Sequence, residues 1–263
     1  MTINFMKLSP GGNETIIVES AVPASERAST ARRLMSNIIG ADQVGYMSYP
    51  KVAGIDARLD MMGGELCING IRCVAQILAS RNQKTQFFIT SSGTDRIFEC
   101  RTRFEKDRCF VSMTLTMKLA VTTLERNVYL IHLDGISMLL CECYAGEIVG
   151  GPVPMFTKFR ERYQKEFDGI PAFGVVPFLR LEKAYSIFPV IYVRDTDSTT
   201  VETGCGSASI ALAIAIRGKN PEEFLVNQPS GSCYELEISN STEGISVVLG
   251  SFVDQLMTGT AYM

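Results

Sequence analysis

The chain reads as an α+β protein built from two pseudo-twofold-related domains, each of mostly antiparallel strands wrapped round a central helix. Two observations predict this. Cys67 and Cys205, 138 positions apart, each follow an acidic residue and a glycine-containing approach and open a helix of apolar residues. Around each of these helices the chain alternates apolar and polar residues in short runs bounded by Gly, Pro, Asn and Asp, the period of half-buried strands.

The elements follow in order. A strand over residues 3–8 breaks at Ser9-Pro10-Gly11-Gly12-Asn13, and a second strand over 15–19 completes a hairpin whose loop carries Asn13. A helix is predicted over 24–39 with Ala28, Ala31, Leu34, Met35 and Ile38 as its buried stripe, then strands over 42–46 and 58–62. Gly63-Gly64-Glu65-Leu66-Cys67-Ile68-Asn69-Gly70 leads into a helix marked by Ile71, Val74, Ala75 and Leu78, and strands follow over 86–90, 96–101 and 109–117. The stretch 117–125 is the expected boundary between residues 1–120, joined by the tail 254–263, and residues 121–253. The second half repeats the plan. A pair of strands over 128–132 and 136–143 precedes an amphipathic helix over 154–167, strands over 172–179 and 184–194, and a polar loop over 195–200. Glu202-Thr203-Gly204-Cys205-Gly206-Ser207-Ala208-Ser209 then leads into Ile210, Ala211, Ala213 and Ile214, with final strands over 224–227, 233–238 and 245–249. The site is expected in the cleft between the halves.

Composition narrows the function classes. At 263 residues with 46% hydrophobic and 20% charged side chains, the chain has the make-up of a soluble globular protein of two ordinary domains. A net charge of −3 supplies no basic field for nucleic acid or anionic lipid. No apolar run approaches the ~20 residues that span a bilayer, and residues 1–10 lack a signal peptide's apolar core. The expected location is therefore the cytoplasm, with cysteines reduced. Cys100, Cys109, Cys141, Cys143 and Cys233 fall in strand-like stretches and read as packing residues, as does Cys73 on the Cys67 helix. Cys141 and Cys143 are expected on opposite strand faces, and with His132 the single histidine a metal site is disfavoured.

Cys67 and Cys205 differ from the other six. A thiol at a helix N-terminus meets the positive end of the dipole and unpaired backbone N–H groups, which favours thiolate. Two such thiols on one carbon can remove a proton from one face and return one to the other. The same N-termini, through the N–H groups of Ile68, Asn69, Gly206 and Ser207, suit a carboxylate. A plainer reading stands beside each further residue. Glu202 can compensate the helix dipole, Asn13 can serve as a left-handed turn residue, Gln43 can bond a strand edge, and Glu65 can face solvent.

These segments resemble the diaminopimelate epimerase family, and within it the cofactor-independent histidine racemases of opine-metallophore pathways. The resemblance is carried in order by Pro10-Gly11-Gly12-Asn13-Glu14-Thr15-Ile16-Ile17-Val18, Asp42-Gln43-Val44-Gly45, Met62-Gly63-Gly64-Glu65-Leu66-Cys67-Ile68-Asn69, Glu202-Thr203-Gly204-Cys205-Gly206-Ser207, Gln228-Pro229-Ser230-Gly231 and Thr258-Gly259-Thr260-Ala261-Tyr262. It implies paired α+β halves, no pyridoxal phosphate and no metal, with Cys67 and Cys205 as acid and base. Asn13, Gln43, Ile68, Asn69, Glu202, Gly206 and Ser207 would contact the substrate, Asn13 and Glu202 holding the ammonium with Asp195 as an alternative. The implied partner is a small-molecule amino acid, with no nucleic acid and no membrane, and a homodimer is left open.

The departures bear on substrate. The epimerase's asparagine before the first cysteine has no counterpart in Arg58 to Met62, its second-domain Gly-Asn-Pro-His segment is at best Asp134-Gly135-Ile136-Ser137-Met138, and its strand-opening asparagine is replaced by Ala172-Phe173-Gly174. Ile68 stands where a glycine is usual. A specialised amino-acid racemase, histidine the leading substrate, is the expectation. Diaminopimelate epimerisation, a thiol oxidoreductase and a non-catalytic amino-acid-binding protein are the alternatives.

Overall fold

A computed structural model describes residues 1–36, 39–194, 197–218 and 222–263. The chain divides into two compact units, Met1–Leu115 with Gly250–Met263, and Thr116–Leu249.

In the first unit the elements are β1 (Thr2–Ser9), β2 (Thr15–Val18), α1 (Ala24–Leu34), β3 (Gln43–Ser48), β4 (Ala57–Met61), α2 (Ile68–Arg81), β5 (Gln86–Ser91), β6 (Ile97–Glu105) and β7 (Arg108–Met117). In the second they are β8 (Val121–Glu125), β9 (Val128–Leu133), β10 (Ile136–Glu142), α3 (Val153–Arg162), α4 (Gln164–Phe167), β11 (Ala172–Arg180), β12 (Tyr185–Ile187), β13 (Val190–Val193), β14 (Ser198–Val201), α5 (Gly206–Ile216), β15 (Glu222–Asn227) and β16 (Cys233–Ser241), before β17 (Gly244–Tyr262).

Strand pairing shows the duplication. In the first unit β1 pairs antiparallel with β2, β2 parallel with β3, β3 antiparallel with β4, β4 parallel with β5, and β5 antiparallel with β6. In the second, β9 pairs antiparallel with β10, β10 parallel with β11, β11 antiparallel with β12 and β13, β12 parallel with β15, and β15 antiparallel with β16. Each parallel step is bridged by a connection that contains a helix, that from β12 to β15 passing through β13 and β14 before α5. The closing strand is also matched: β8 lies antiparallel to β9, and the end of β17 lies antiparallel to β1, from Thr2 opposite Tyr262 to Ser9 opposite Asp254.

One glycine in each unit marks corresponding positions. Gly45 pairs with Ile17 and Met61, and Gly174 pairs with Met138 and Ile191. A Cβ on Gly45 would come within 2.5 Å of Leu59 Cδ1, and one on Gly174 within 2.5 Å of Ile191 Cδ1, so each strand is tied to its neighbours by the missing side chain. By this register Gln43 corresponds to Ala172, and the Asn13 loop to the Asp134 loop.

Of the central helices, α5 is apolar almost all round, whereas α2 is amphipathic and buries Asn69, Arg72 and Gln76 along with its apolar residues. In α2 every residue from Ile68 to Ala79 is buried, and the helix packs on β2, β4, β5 and β6. In α5 Ile210 to Ile214 are buried, and the helix packs on β9, β10 and β16. Each Ile or Leu removed from water there contributes ~1.5–3 kcal/mol. Outside α2, α1 covers β1 to β3 through Ala31 and Leu34, and Phe156, Phe159 and Phe167 of α3 and α4 cover Phe173, Val175 and Tyr192.

Several boundaries depart from the sequence reading. The first helix ends at Leu34, not residue 39, and Ile38 of its expected stripe lies outside the described residues. The expected helix over 154–167 is interrupted at Tyr163, whose φ of −112° and ψ of 29° leave the helical region. The strand expected over 184–194 is split at Phe188-Pro189, where proline lacks a ladder N–H. The stretch read as the domain boundary holds strand β8 and the one read as a polar loop runs into strand β14; their Val121, Thr122, Thr123, Thr199, Thr200 and Val201 are β-branched. The two units divide at 115/116 and 249/250, and β7 and β17 each run unbroken through the division. Cys141 and Cys143 are both buried in one core cluster and not on opposite faces, since positions two apart in a strand share a face. Cys233 is exposed, because Tyr234, Leu236 and Ile238 take the inward positions of β16.

Candidate active site

Cys67 and Cys205 occupy the same position in their units. Each is the N-cap of its helix, Cys67 at φ −126°, ψ 106° and Cys205 at φ −129°, ψ 106°. The side chain of Cys67 reaches back over its first helical turn, where the N–H groups lack helical partners, whereas that of Cys205 makes no cap hydrogen bond to its helix. Cys67 Sγ accepts from Gly70 N–H at 3.2 Å and its thiol lies 3.3 Å from Gln43 Oε1. Gln43 Nε2 donates to Thr15 Oγ1 at 2.8 Å, and Thr15 Oγ1 contacts the carbonyl of Asn13 at 3.4 Å. Residues from the β1–β2 loop, β2, β3 and α2 are thereby joined at one sulfur.

The loop that delivers Cys67 is held from β5. Ser92 Oγ accepts from Met61 N–H and donates to the Glu65 carbonyl, both at 2.9 Å. Gly93, at φ 76°, sits so close that a Cβ would lie 2.4 Å from Leu66 N. Gly64, at φ 77°, supplies the left-handed residue of the turn. A Cβ at Gly70 would meet Leu59 Cδ2 at 2.9 Å and the Cys67 sulfur at 3.4 Å, so glycine there lets α2 sit against β4 beside the thiol.

In the second unit, Cys205 is 8% exposed and its N–H donates to Gln228 Oε1 at 2.9 Å. Gln228 Nε2 donates to Ser209 Oγ at 3.0 Å and to the Val226 carbonyl at 3.1 Å, while Ser209 Oγ donates back to the Cys205 carbonyl at 2.8 Å. Ser230 N–H also bonds the Thr203 carbonyl at 2.9 Å. The Gln228–Gly231 turn thus clamps the segment leading into α5. Glu202 is half-buried and its N–H bonds the Pro189 carbonyl at 3.0 Å.

Of the expected site residues, Asn13, Gln43, Cys67, Ile68 and Asn69 are gathered in the first unit, and Glu202, Cys205, Gly206 and Ser207 in the second. Asp195, the alternative to Glu202, lies outside the described residues. The reading missed Thr15, Arg72, Ser92, Gly93 and Gln228. Gln228 and Thr15 stand in segments that carry the family resemblance, whereas Ser92 and Gly93 act through contacts distant in sequence and Arg72 through Val111 and Ser251 as well as Asn69. The remaining thiols in α2 and β6 are held neutral by burial, which pushes Cys73 far up and Cys100 up to about 12. Among the described residues no three His, Cys, Asp or Glu side chains are grouped to hold a metal ion, and no helix is long and apolar enough to cross a membrane.

Solved structures share this fold over essentially the whole chain. A PhzF-family phenazine biosynthesis protein from Bacillus anthracis superposes with a TM-score of 0.70 at 14% identity, covering all of both chains. A hydroxyproline epimerase from Agrobacterium vitis superposes with a TM-score of 0.59 at 11% identity, covering 98% of this chain and 92% of its own. These neighbours, together with curated relatives, put the chain among isomerases of the amino-acid racemase and epimerase class. Residues 2–262 match the family described as the histidine racemase CntK N-terminal domain, and the chain belongs to it. Curated relatives are a histidine racemase of Staphylococcus aureus, 26% identical over 280 residues spanning 99% of this chain and 98% of that protein, and one of Fusobacterium nucleatum, 25% identical over 243 residues spanning 87% of each.

Proposed function

We propose that the chain racemises histidine without a cofactor, Cys67 and Cys205 acting on one α-carbon as base and acid. The observation that carries the reading is the matched pair of N-caps, two thiols in the same backbone conformation at the starts of two buried helices. One thiolate removes the α-proton and becomes a thiol, while the other thiol donates its proton to the opposite face and becomes a thiolate. Reversal of the roles serves the other enantiomer. The α-proton of a free amino acid is very weakly acidic, so charge developing on the substrate must be met electrostatically. The backbone N–H groups of Ile68, Asn69, Gly206 and Ser207 suit its carboxylate, and Asn13 with Glu202 suit its ammonium.

Histidine is favoured over diaminopimelate because the second amino-acid end of the latter lacks partners. Ala172 opens β11 at the position matching Gln43, and an alanine offers no side-chain hydrogen bond. Each polar group left unpaired costs ~1–3 kcal/mol. The test is α-deuterium exchange followed by kcat/KM for L-histidine, L-ornithine, L-lysine and LL-diaminopimelate under reducing conditions. Histidine is expected to be best, and diaminopimelate as the best substrate would overturn the substrate assignment.

A further inference from the structure

Arg72, in the second turn of α2, is 0% exposed. Its Nε donates to the Val111 carbonyl at 3.4 Å, Nη1 to Asn69 Oδ1 at 3.4 Å, and Nη2 to the Ser251 carbonyl at 3.3 Å and to Ser251 Oγ. A buried cation is costly, and near a helix N-terminus it also opposes the dipole. The fold does not demand one. Five residues after each capping cysteine, α2 has Arg72 where α5 has Ile210, itself 1% exposed. Packing alone is met at this position by an apolar side chain, so the guanidinium points to another use.

A guanidinium has donors only, and Arg72 therefore binds the carbonyl end of the Asn69 amide and turns its nitrogen to the other side of the group. Asn69 is the second residue of α2, two positions after Cys67. The Val111 and Ser251 contacts anchor the guanidinium on β7 and β17, so it is a fixed fork on which the amide is set. We propose that Arg72 is a positioning residue that acts through Asn69, fixing its amide with the N–H donors toward the substrate carboxylate at the start of α2. This rests on the carboxylate site proposed above.

A double-mutant cycle on the full chain tests it, using Asn69→Ala, Arg72→Met and the double variant, with kcat and KM measured for the amino acid the wild type exchanges. Asn69→Ala should raise KM roughly tenfold, the worth of one hydrogen bond to a charged group. Arg72→Met should raise KM by a similar factor, and the double variant should match Asn69→Ala alone, because the two changes remove one interaction. Arg72→Lys keeps the cation without the rigid fork and covers the case in which the methionine variant does not fold. It should raise KM by a smaller factor in the wild-type background and not at all in Asn69→Ala. Arginine effects that multiply with Asn69→Ala, or a normal KM in both arginine variants while Asn69→Ala raises it, would overturn the positioning role and leave the carboxylate site standing. A normal KM in Asn69→Ala, or no exchange by the wild type, would remove both.

Discussion

The thiol of Cys67 lies 3.3 Å from the amide oxygen of Gln43, while the amide nitrogen is held by Thr15 Oγ1 at 2.8 Å. The sulfur is thus placed between an acceptor that favours the thiol and the Gly70 N–H, 3.2 Å away, that favours the thiolate. The role proposed for Cys67, taking and giving a proton, needs such a balance. Replacing Gln43 by Glu puts a carboxylate where the neutral amide stood, and a neighbouring negative charge raises a thiol pKa. The expected outcome is a pH profile of kcat/KM whose Cys67-dependent limb moves to higher pH in both directions of reaction. A profile identical to wild type would separate Gln43 from the acid–base chemistry.

Capping and chemistry can be separated at Cys67. Serine is a good N-cap and alanine a poor one, so Cys67→Ala should lose ~1 kcal/mol of stability that Cys67→Ser retains. A serine hydroxyl is far too weak an acid to exchange protons at neutral pH, and both variants should lose racemisation by ~10²–10⁴-fold or more. Thermal unfolding and racemisation rates measured on the same preparations check the two halves of this prediction. Activity in the serine variant close to wild type would end the acid/base assignment.

The duplication predicts matched costs at matched glycines. Gly45→Ala would push a methyl to 2.5 Å from Leu59 Cδ1 and 3.1 Å from Met61 Sδ, and Gly174→Ala to 2.5 Å from Ile191 Cδ1 and 2.7 Å from Met138 Sδ. Overpacking of this kind costs ~1–3 kcal/mol. Both substitutions should lower the denaturation midpoint by similar amounts. A neutral effect at one position only would show that the two strand triplets are not packed alike.

What the sequence made legible follows period and punctuation. The helices opening at Cys67 and Cys205 stand out because a glycine-containing approach gives way to a largely apolar run, and β1, β4, β5 and β6 carry the alternation of half-buried strands. Gln43 and Cys67 could each be picked out, whereas their contact could not, because it depends on β3 running parallel to β2 some 25–30 residues downstream. Arg72 was invisible for the opposite reason. An arginine inside an amphipathic helix reads as a solvent-facing residue, and only the strands wrapped round α2 show that the helix has no solvent face there. The strands β8 and β14 were lost to their polar threonines, whose β-branching outweighs their polarity once a partner strand is present.

Burial separates four of the eight thiols by reactivity. Cys73 and Cys100 are fully buried and held protonated, the second with its pKa pushed up to about 12, so at neutral pH almost none of either is thiolate. Cys67 is half-buried at a helix N-terminus and Cys233 is exposed on β16. Brief alkylation of the folded chain at neutral pH, read by peptide mass mapping, should therefore label Cys67 and Cys233 and spare Cys73 and Cys100. Loss of racemase activity should track the Cys67 label and be unaffected by Cys233→Ser, which removes the competing surface thiol without touching α2. Inactivation that tracked the Cys233 label instead would move the reactive thiol out of the first unit altogether.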